Sequence, residues 1–458
     1  MSAALRRSFA SLEVPNYKRW FAGQLISVSG NWMQIIAETW LILTLTGSAL
    51  AVGITAALQF LPMLLAGAWG GLVADRSNKH SLLIRTQAAM AIPAFALFAL
   101  SVGGAIAPWM VFGLVFVRGC VLAIDSPARQ SFVIEIVGND RLVNAVGLNS
   151  VLIHSSRIIG PAIAGVAIAT IGVDFCFAVN ALSFVAMIVA LRGMDTSKLR
   201  TPDRVPRERG AVRAGLRYVR ANRQLAIPLG MMAVIGTLGF NFQVLLPLFA
   251  TFTFHGGAAA YTVMAAAMGV GSVIGALIAS SRGRVSEHLL VGGAIAFGAT
   301  ALLVAAAPTI TVAVLALIPL GTATVTFAAA ANSSVQLGAD PSMRGRVMAL
   351  YMIVFMGSTP IGGPITGWLS GAMGPRAGLV MAGLAGFVAA AGAAIAFRRR
   401  PLVEVEVASS SEDDLGTSQV FAPGAPAPAP RWPRRRSERR RGSQSPQRRS
   451  PALSRRGQ

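Results

Sequence analysis

The chain consists of a succession of long apolar runs separated by short polar breaks. A helix that crosses a bilayer needs about 20 largely apolar residues, and twelve runs come close to or exceed that length. They cover approximately residues 20–45, 49–73, 82–103, 107–124, 146–170, 173–191, 226–250, 259–280, 289–307, 309–331, 347–371 and 377–397. The runs lack the period-two alternation of an outer-membrane barrel. The pattern therefore predicts an all-α integral membrane protein with twelve transmembrane helices.

The longest polar break divides the twelve runs into two sets of six. This organisation predicts five segments: a cytoplasmic N-terminus (1–15), an N-terminal six-helix half (16–192), a central cytoplasmic loop (193–224), a C-terminal six-helix half (225–397) and a basic cytoplasmic tail (398–458). Inside the central loop, Ala211–Arg223 can form a short amphipathic helix on the inner leaflet, with Val212, Leu216 and Val219 on one face.

Composition excludes an ordinary water-soluble protein. Hydrophobic residues make up 54% of the chain and charged residues only 13%, whereas soluble proteins carry about 25% charged residues. The formal net charge is nevertheless +22. Such a charge is typical either of nucleic-acid binding or of membrane orientation, and the positions of the basic residues decide between the two.

The basic residues lie in alternate breaks. One side of the predicted bundle, here called the arginine-rich side, receives Arg6, Arg7, Lys18, Arg19, Arg76, Lys79, Arg85, Arg129, Arg141, the run 192–223, Arg282, Arg284, Arg344, Arg346 and everything from Arg398 onward. The arginine-poor side receives the turns 46–48, 103–108, 172–174, 254–257, 306–309 and 374–376, with Arg376 as their only basic residue. By the positive-inside rule, both termini are expected in the cytoplasm and the protein in the inner or plasma membrane. The charge is thus an orientation signal, and no nucleic-acid partner is expected.

The tail has a composition that cannot bury a core. Pro-rich residues 422–430 precede an Arg-, Ser- and Pro-dense stretch, 431–458, so we expect disorder. Two alternatives are open for the tail. It is attracted to anionic lipids of the inner leaflet, or it is a solvated segment without a binding role.

The chain lacks the patterns of an enzyme or a metal site. Cys120 and Cys176 lie in apolar runs without a C-x-x-C pair, and neither H-E-x-x-H nor G-x-S-x-G occurs. No Gly-Lys pair exists, which excludes a Walker A loop and an ATP-driven pump within this chain. We therefore expect no metal, no cofactor and no catalytic residue.

Each half contains one copy of an internal repeat. Arg141–Gly165 and Arg344–Gly367 align with a shift of 203 residues, which superimposes Gly160-Pro161 on Gly363-Pro364. A Gly-Pro pair lets a neighbouring helix approach closely and removes a backbone donor. We expect these four residues to serve helix packing and bending in the fifth helix of each half.

The break after the second run carries a recognisable motif. Gly70–His80 reads G-G-L-V-A-D-R-S-N-K-H, which resembles the G-x-x-x-D-R-x-G-R-[KR] signature of the major facilitator superfamily. Asn78 stands for its second glycine, and asparagine tolerates a left-handed backbone conformation. The stretches 30–34, 45–48, 126–130 and 157–161 resemble the branch that includes enterobactin and macrolide exporters. The resemblance covers about residues 15–397.

The resemblance implies a transporter that alternates between two open states. In that superfamily the loop signature acts as a cytoplasmic gate, which here assigns Gly71, Asp75, Arg76 and Lys79 to the gate. Asp75 is expected to pair with a cation and to face a helix N-terminus of the other half. Asp125 and Arg129, at the end of the fourth run, lie at similar depth and are expected to complete the network.

Three charged residues fall well inside predicted spans, where a charge is costly and marks a functional site by default: Glu38, Arg118 and Arg157. Asn31, Gln34 and Glu38 form one polar stripe at i, i+3 and i+7, which we expect to face the cavity between the halves. Glu38 is the first candidate for proton coupling; the alternative is a solvated acid in the outer vestibule.

Four further residues are candidates for the same site. Arg157 can pair with Glu38, bind an anionic substrate or bond to backbone carbonyls. Arg118 is expected nearer the arginine-rich end of its helix. Three roles are open for it: proton transfer, snorkelling toward the membrane surface and a part in the gate. Asn241 and Gln243 are expected to line the cavity from the C-terminal half.

The sequence thus favours a monomeric secondary exporter of drugs or siderophore-like small molecules, driven by proton antiport. A lysophospholipid flippase or an importer on the same fold is the alternative within transport. A receptor or scaffold that uses the basic tail is the alternative outside transport.

Overall fold

The computed structural model of the chain describes residues 9–200, 211–281, 284–340, 342–398 and 405–406, and nearly all of them are helical. The first part contains α1 (Pro15–Thr46), α2 (Ala49–Arg76), α3 (Lys79–Val102), α4 (Pro108–Val137), α5 (Leu142–Thr170) and α6 (Asp174–Arg192). Local signals set these bounds. Proline occupies the first turn of α1 and α4, Ser48 caps α2, and Gly47 ends α1 with a φ of 59°.

The second part contains α7 (Ala211–Ala221), α8 (Arg223–Leu238), α9 (Phe242–Leu248), α10 (Ala258–Ser281), α11 (Glu287–Ala305), α12 (Ile310–Gly338), α13 (Arg344–Gly357), α14 (Thr359–Met373) and α15 (Pro375–Arg398). A π-helical turn, Phe249–Thr253, follows α9. Strands β1 (Arg284–Val285) and β2 (Val405–Glu406) form a two-residue antiparallel pair. The all-α fold class is confirmed. The predicted disorder of the tail lies outside the described residues.

Two of the twelve predicted runs are interrupted helices. The seventh run comprises α8 and α9, separated at Gly239–Asn241, and the eleventh comprises α13 and α14, separated at Ser358. Pro360 explains the second interruption, because it has no N–H to donate and its ring displaces the carbonyl one turn earlier.

Eleven stretches of the described residues are long and apolar enough to cross a membrane. The remaining predicted run coincides with α1, which is 32 residues long and therefore sufficient to span. Its polar stripe lowers its mean hydropathy.

The spanning helices pack in two groups. In the N-terminal group, α1 packs on α5 and α6, α3 on α4 and α6, and α2 on α4; in the C-terminal group, α10 packs on α12, α11 on α12 and α15, and α8 on α12 and α15. Between the groups, α2 packs on α14 and α5 on α10. Both contacts reach the arginine-poor side, where α2 and α10 begin and α5 and α14 end.

Glycines make the contact between α2 and α14 close. A Cβ built on Gly53 would lie 2.4 Å from the Gly363 carbonyl oxygen, and one built on Gly367 would lie 2.5 Å from the Ala49 carbonyl oxygen. The absence of side chains thus lets the two groups meet backbone to backbone at this end.

The central loop contains the predicted short helix, α7. It packs on α13, and the Tyr218 hydroxyl donates to an Asp340 carboxylate oxygen over 2.8 Å. Val219 is buried while Leu216 is 40% exposed. The helix is therefore tied to the base of the C-terminal group through one of its predicted apolar positions.

Candidate functional site

A buried ion pair lies inside the N-terminal group. The Arg118 guanidinium of α4 is 2.5 Å from a carboxylate oxygen of Glu38 on α1, and these residues are 3% and 1% exposed. A charge in a low-dielectric interior is tolerated when an opposite charge neutralises it. Arg118, rather than Arg157, is therefore the partner of Glu38.

A chain of hydrogen bonds extends from this pair across three helices. The Gln34 amide donates to Glu38 over 2.6 Å, the Asn180 amide of α6 donates to the Gln34 carbonyl oxygen, and Ser183 donates to the Asn180 side chain over 2.8 Å. We call these four residues, together with Arg118, the Glu38 network. The network links α4, α1 and α6. Both carboxylate oxygens of Glu38 and the side-chain oxygen of Gln34 each accept a hydrogen bond within it.

Asn180 and Ser183 were missed by sequence reasoning. A signal existed, since both are polar residues in an apolar run and lie three residues apart, on one helix face. Gly30 of α1 makes room for them, because a Cβ there would lie 2.5 Å from the Asn180 side-chain oxygen.

The expectation that the whole α1 stripe faces the cavity between the halves is wrong in this conformation. Gln34 and Glu38 are fully buried among helices of the N-terminal group, and Asn31 alone retains partial exposure. A carboxylate that has a cationic partner and an amide donor is more stable inside the group than it would be unpaired beside the cavity. For the same reason Glu38 is not a solvated vestibule acid here.

Arg157 lies where the two groups meet. Its guanidinium stacks over the Trp32 ring at 5.1 Å, and a Cβ on Gly269 of α10 would lie 3.1 Å from its carbonyl oxygen. Among the described residues, Arg157 has no carboxylate partner, and its buried Nε makes no hydrogen bond. Within the described residues, the structure thus distinguishes Arg118, which is paired with a carboxylate, from Arg157, which is not.

Asn241 and Gln243 lie at the interruption of the seventh run. The Asn241 side chain is fully buried and donates to the Thr237 carbonyl over 2.7 Å. Its side-chain oxygen and the Gln243 amide nitrogen have no hydrogen-bond partner among the described residues. Because α9 contacts α1 and α2, these amides belong to the part of the C-terminal group that faces the N-terminal group.

A second polar cluster lies nearer the arginine-rich end. Asp125 is completely buried and accepts from Thr86 (2.5 Å), Gln87 (2.9 Å) and Arg129. Arg129 also donates to the Gln24 side chain over 2.6 Å. This Asp125 cluster joins α1, α3 and α4 by bonds to an ionised carboxylate, which are stronger than those between neutral groups.

The gate loop is arranged differently from the expectation. Asp75 and Arg76 are exposed and Gly71 is buried, so the loop charges differ in exposure from the completely buried Asp125. Lys79 forms an ion pair with Glu135 over 2.5 Å, a partner that sequence reasoning missed. Asn78 has an ordinary φ of −66° rather than a left-handed one, because its side chain accepts from the Ser81 N–H and caps α3.

The two Gly-Pro pairs occupy different contacts. A Cβ on Gly160 would lie 2.5 Å from the Trp32 Cβ of α1, whereas one on Gly363 would lie 2.8 Å from the Gly53 carbonyl oxygen of α2. The packing role is thus supported for both glycines. α5 continues through Pro161, while the eleventh run is interrupted at Ser358, before Pro364.

A cavity of about 690 Å³ lies apart from these clusters, between α10, α11 and α12. Small residues line much of it, including Gly292, Gly293 and Ala323, and none of the sequence-predicted site residues does.

Comparison with known families agrees with this architecture. Residues 6–421 match the sequence pattern of the transmembrane secretion effector family. The chain is 25% identical over 265 residues to the staphyloferrin A transporter of Staphylococcus aureus, an alignment that covers 57% of this chain and 66% of that protein. It is 25% identical over 365 residues to the multidrug efflux pump Tap of Mycobacterium tuberculosis, covering 77% and 86%.

The fold is similar to that of solved transporters. A D-xylose-proton symporter superimposes with a TM-score of 0.64 over 82% of this chain and 96% of that one, at 14% sequence identity. At this identity the likeness concerns the fold alone. The alignment with the first of the curated relatives spans just under two thirds of that protein's length.

Proposed function

Because the chain belongs to the transmembrane secretion effector family of the major facilitator superfamily, and is therefore a membrane transporter, we propose that it is a proton-coupled exporter of small organic molecules. Its relatives include a siderophore transporter and a multidrug efflux pump, which supports export of drugs or siderophore-like compounds. The observation that carries the proton coupling is the buried pair between Glu38 and Arg118.

A carboxylate in this position can couple protonation to movement. When Glu38 is ionised, its attraction to Arg118 holds α1 against α4. When a proton neutralises Glu38, the pair loses its Coulombic attraction, which is large in a poorly solvated interior. The Gln34 amide can then reorient toward Asn180. Protonation and deprotonation thus favour two different arrangements of α1. Antiport requires such a pair of states whose populations depend on protonation.

Alternating access needs contacts that can form and break between the groups. The glycine contact of α2 with α14 joins the two groups near the arginine-poor side in the conformation described here, and we propose that it closes that side. The Asp125 cluster connects three helices of one group only. It is suited to keep that end of the N-terminal group rigid while the groups rock, with Asp75, Arg76 and Lys79 as gate residues at its edge.

Three further features complete the proposal: the orientation of the chain, the role of its tail and its oligomeric state. We propose that both termini lie in the cytoplasm, with the arginine-rich side facing inward. The tail is proposed to touch anionic lipids. We propose a monomer, in which a single chain supplies both groups and the path between them.

Export is expected to depend on the proton gradient. Cells that produce the protein should accumulate less of at least one compound in a panel of drugs and siderophores, and a protonophore should abolish the difference. Vector-only cells treated with the same protonophore are the control. Unchanged accumulation across the panel would contradict export, increased accumulation would favour the importer, and movement of labelled lysophospholipid alone would favour the flippase.

Removal of residues 398–458 is expected to leave export within about twofold of the full chain when the measured flux is normalised to the amount of protein in the membrane. The reason is that the described polar clusters all lie within residues 9–398. A receptor or scaffold that acts through its tail would instead lose its activity in this variant. Loss of flux at an unchanged protein level would contradict the proposal.

A further inference from the structure

Of the three charges that the sequence places well inside the spans, Arg157 is the one without a carboxylate partner among the described residues. Glu38 and Arg118 neutralise each other, whereas Arg157 has no acidic partner among the described residues. Arginine offers five N–H donors in a planar fork, and the Arg157 fork makes no hydrogen bond within the described part of the chain. Charged residues within membrane spans are almost always paired. The described part of the protein provides no counter-ion for Arg157, so a bound ligand can supply it.

The surroundings of Arg157 fix one face of its guanidinium and leave its donors available. The Trp32 ring covers that face at 5.1 Å, an arrangement that attracts a cation without satisfying its N–H groups. Gly160 lets α1 approach α5 at Trp32, since a Cβ there would lie 2.5 Å from the Trp32 Cβ. The guanidinium is therefore held in place before any ligand binds, which reduces the entropy cost of binding.

We assign Arg157 to the transport path because it lies where the two groups meet. Its backbone lies against Gly269 of α10, at the contact between the two groups. Asn31 and Trp32 on the facing helix both retain partial exposure. A molecule that passes between the groups thus meets an arginine, an indole ring and a carboxamide.

We propose that Arg157 and Trp32 form the binding site for an organic anion, and that the protein selects substrates carrying a carboxylate, sulfonate or phenolate next to an apolar ring system. This inference rests on the proposed transport function and adds the charge class of the substrate. The oxygen atoms of the anion accept from the free guanidinium N–H groups, and its ring packs beside Trp32. A cationic substrate of the same shape is repelled by the unpaired charge.

Binding of two dyes to the purified full-length protein tests the proposal. Fluorescein is an anion at pH 8, and a cationic rhodamine shares its ring system, so fluorescence anisotropy compares charge at nearly constant shape. We expect the wild type to bind fluorescein at least about tenfold more tightly than the rhodamine. Arg157→Gln should lose about tenfold in fluorescein affinity, the size expected when a charge-assisted contact is removed.

Two control variants separate the site from general effects. Arg157→Lys keeps the charge and should retain most of the fluorescein affinity. Arg85→Gln removes one positive charge from an exposed position on α3 and should bind as the wild type does. Thermal unfolding of each variant shows whether the fold is intact, and the retention of rhodamine binding in Arg157→Gln serves the same purpose.

The proposal is overturned if wild-type protein fails to bind fluorescein, if it binds the two dyes equally, or if Arg157→Gln binds fluorescein as well as the wild type does. Binding is measured without a gradient, so it is independent of export. A protein that binds fluorescein through Arg157 but exports nothing would contradict only the proposed function. Export of cationic drugs at full rate in Arg157→Gln, with wild-type dye binding, would contradict only the anion site.

Discussion

Replacing Glu38 with glutamine is expected to abolish proton-linked transport, and adding Arg118→Gln is expected to restore the stability of the protein without restoring its transport. Glutamine has nearly the same shape as glutamate and still accepts a hydrogen bond, but it cannot exchange a proton near neutral pH. If Glu38 is the coupling group, its substitution removes the step that links the gradient to movement.

The double variant distinguishes coupling from structural support. Glu38→Gln alone leaves the Arg118 charge buried without a counter-ion, which costs about 3–5 kcal/mol when one partner of a buried pair is removed. Arg118 is only 3% exposed, so water relieves little of this cost. Removing both charges eliminates the unpaired cation. Stability should return toward the wild-type value, whereas a variant without Glu38 has nothing to protonate.

Proteoliposomes with an imposed pH gradient measure the transport, and the unfolding midpoint in detergent measures the stability. Glu13→Gln is the control, because it breaks an ion pair with Arg141 that lies outside the proposed coupling and gate residues, where the two side chains are 61% and 40% exposed. That variant should keep its flux. Wild-type flux in Glu38→Gln would remove Glu38 from the mechanism, and recovered gradient-driven flux in the double variant would assign the pair a purely structural role.

The spans could be predicted because bilayer thickness and backbone hydrogen bonding act on each segment separately. Run length alone locates α6 and α15 within two residues of their observed bounds, and α1 within five. Interruptions were harder to locate, since proline does not mark them reliably: the break at Gly239–Asn241 contains no proline. Pro161 lies inside the continuous α5, whereas Pro360 follows the interruption in the eleventh run.

The candidate site was predictable as a set of residues but not as a set of pairs. A charge inside an apolar run is conspicuous by its cost, and this identified Glu38, Arg118 and Arg157. Which arginine faces Glu38 depends on the rotation and depth of α4 and α5 relative to α1. Those quantities come from packing between helices, as at Gly160 against Trp32, and no local pattern determines them. The same holds for Asn180, which becomes significant only when α6 meets α1.

Replacing Gly53 with valine is expected to reduce transport at least about tenfold by preventing closure of the arginine-poor side. A Cβ at this position would lie 2.4 Å from the Gly363 carbonyl oxygen and 3.1 Å from the Pro364 Cα. Both neighbours are backbone atoms, which cannot rotate away as a flexible side chain can. The added volume therefore has to separate α2 from α14, and the population shifts toward conformations open at that end.

Cysteine labelling measures this shift directly. Ala49 is 5% exposed, and its carbonyl oxygen lies against Gly367 across the same contact. In a background in which Cys120 and Cys176 are replaced by alanine, Ala49→Cys should react slowly with a polar maleimide, and Gly53→Val should accelerate the reaction. Gly113→Val is the control, because nothing lies within 4 Å of a Cβ at Gly113. Unchanged labelling together with wild-type flux in Gly53→Val would show that the transport cycle does not require this contact to close, whereas faster labelling with lost flux would make its closure an obligatory step.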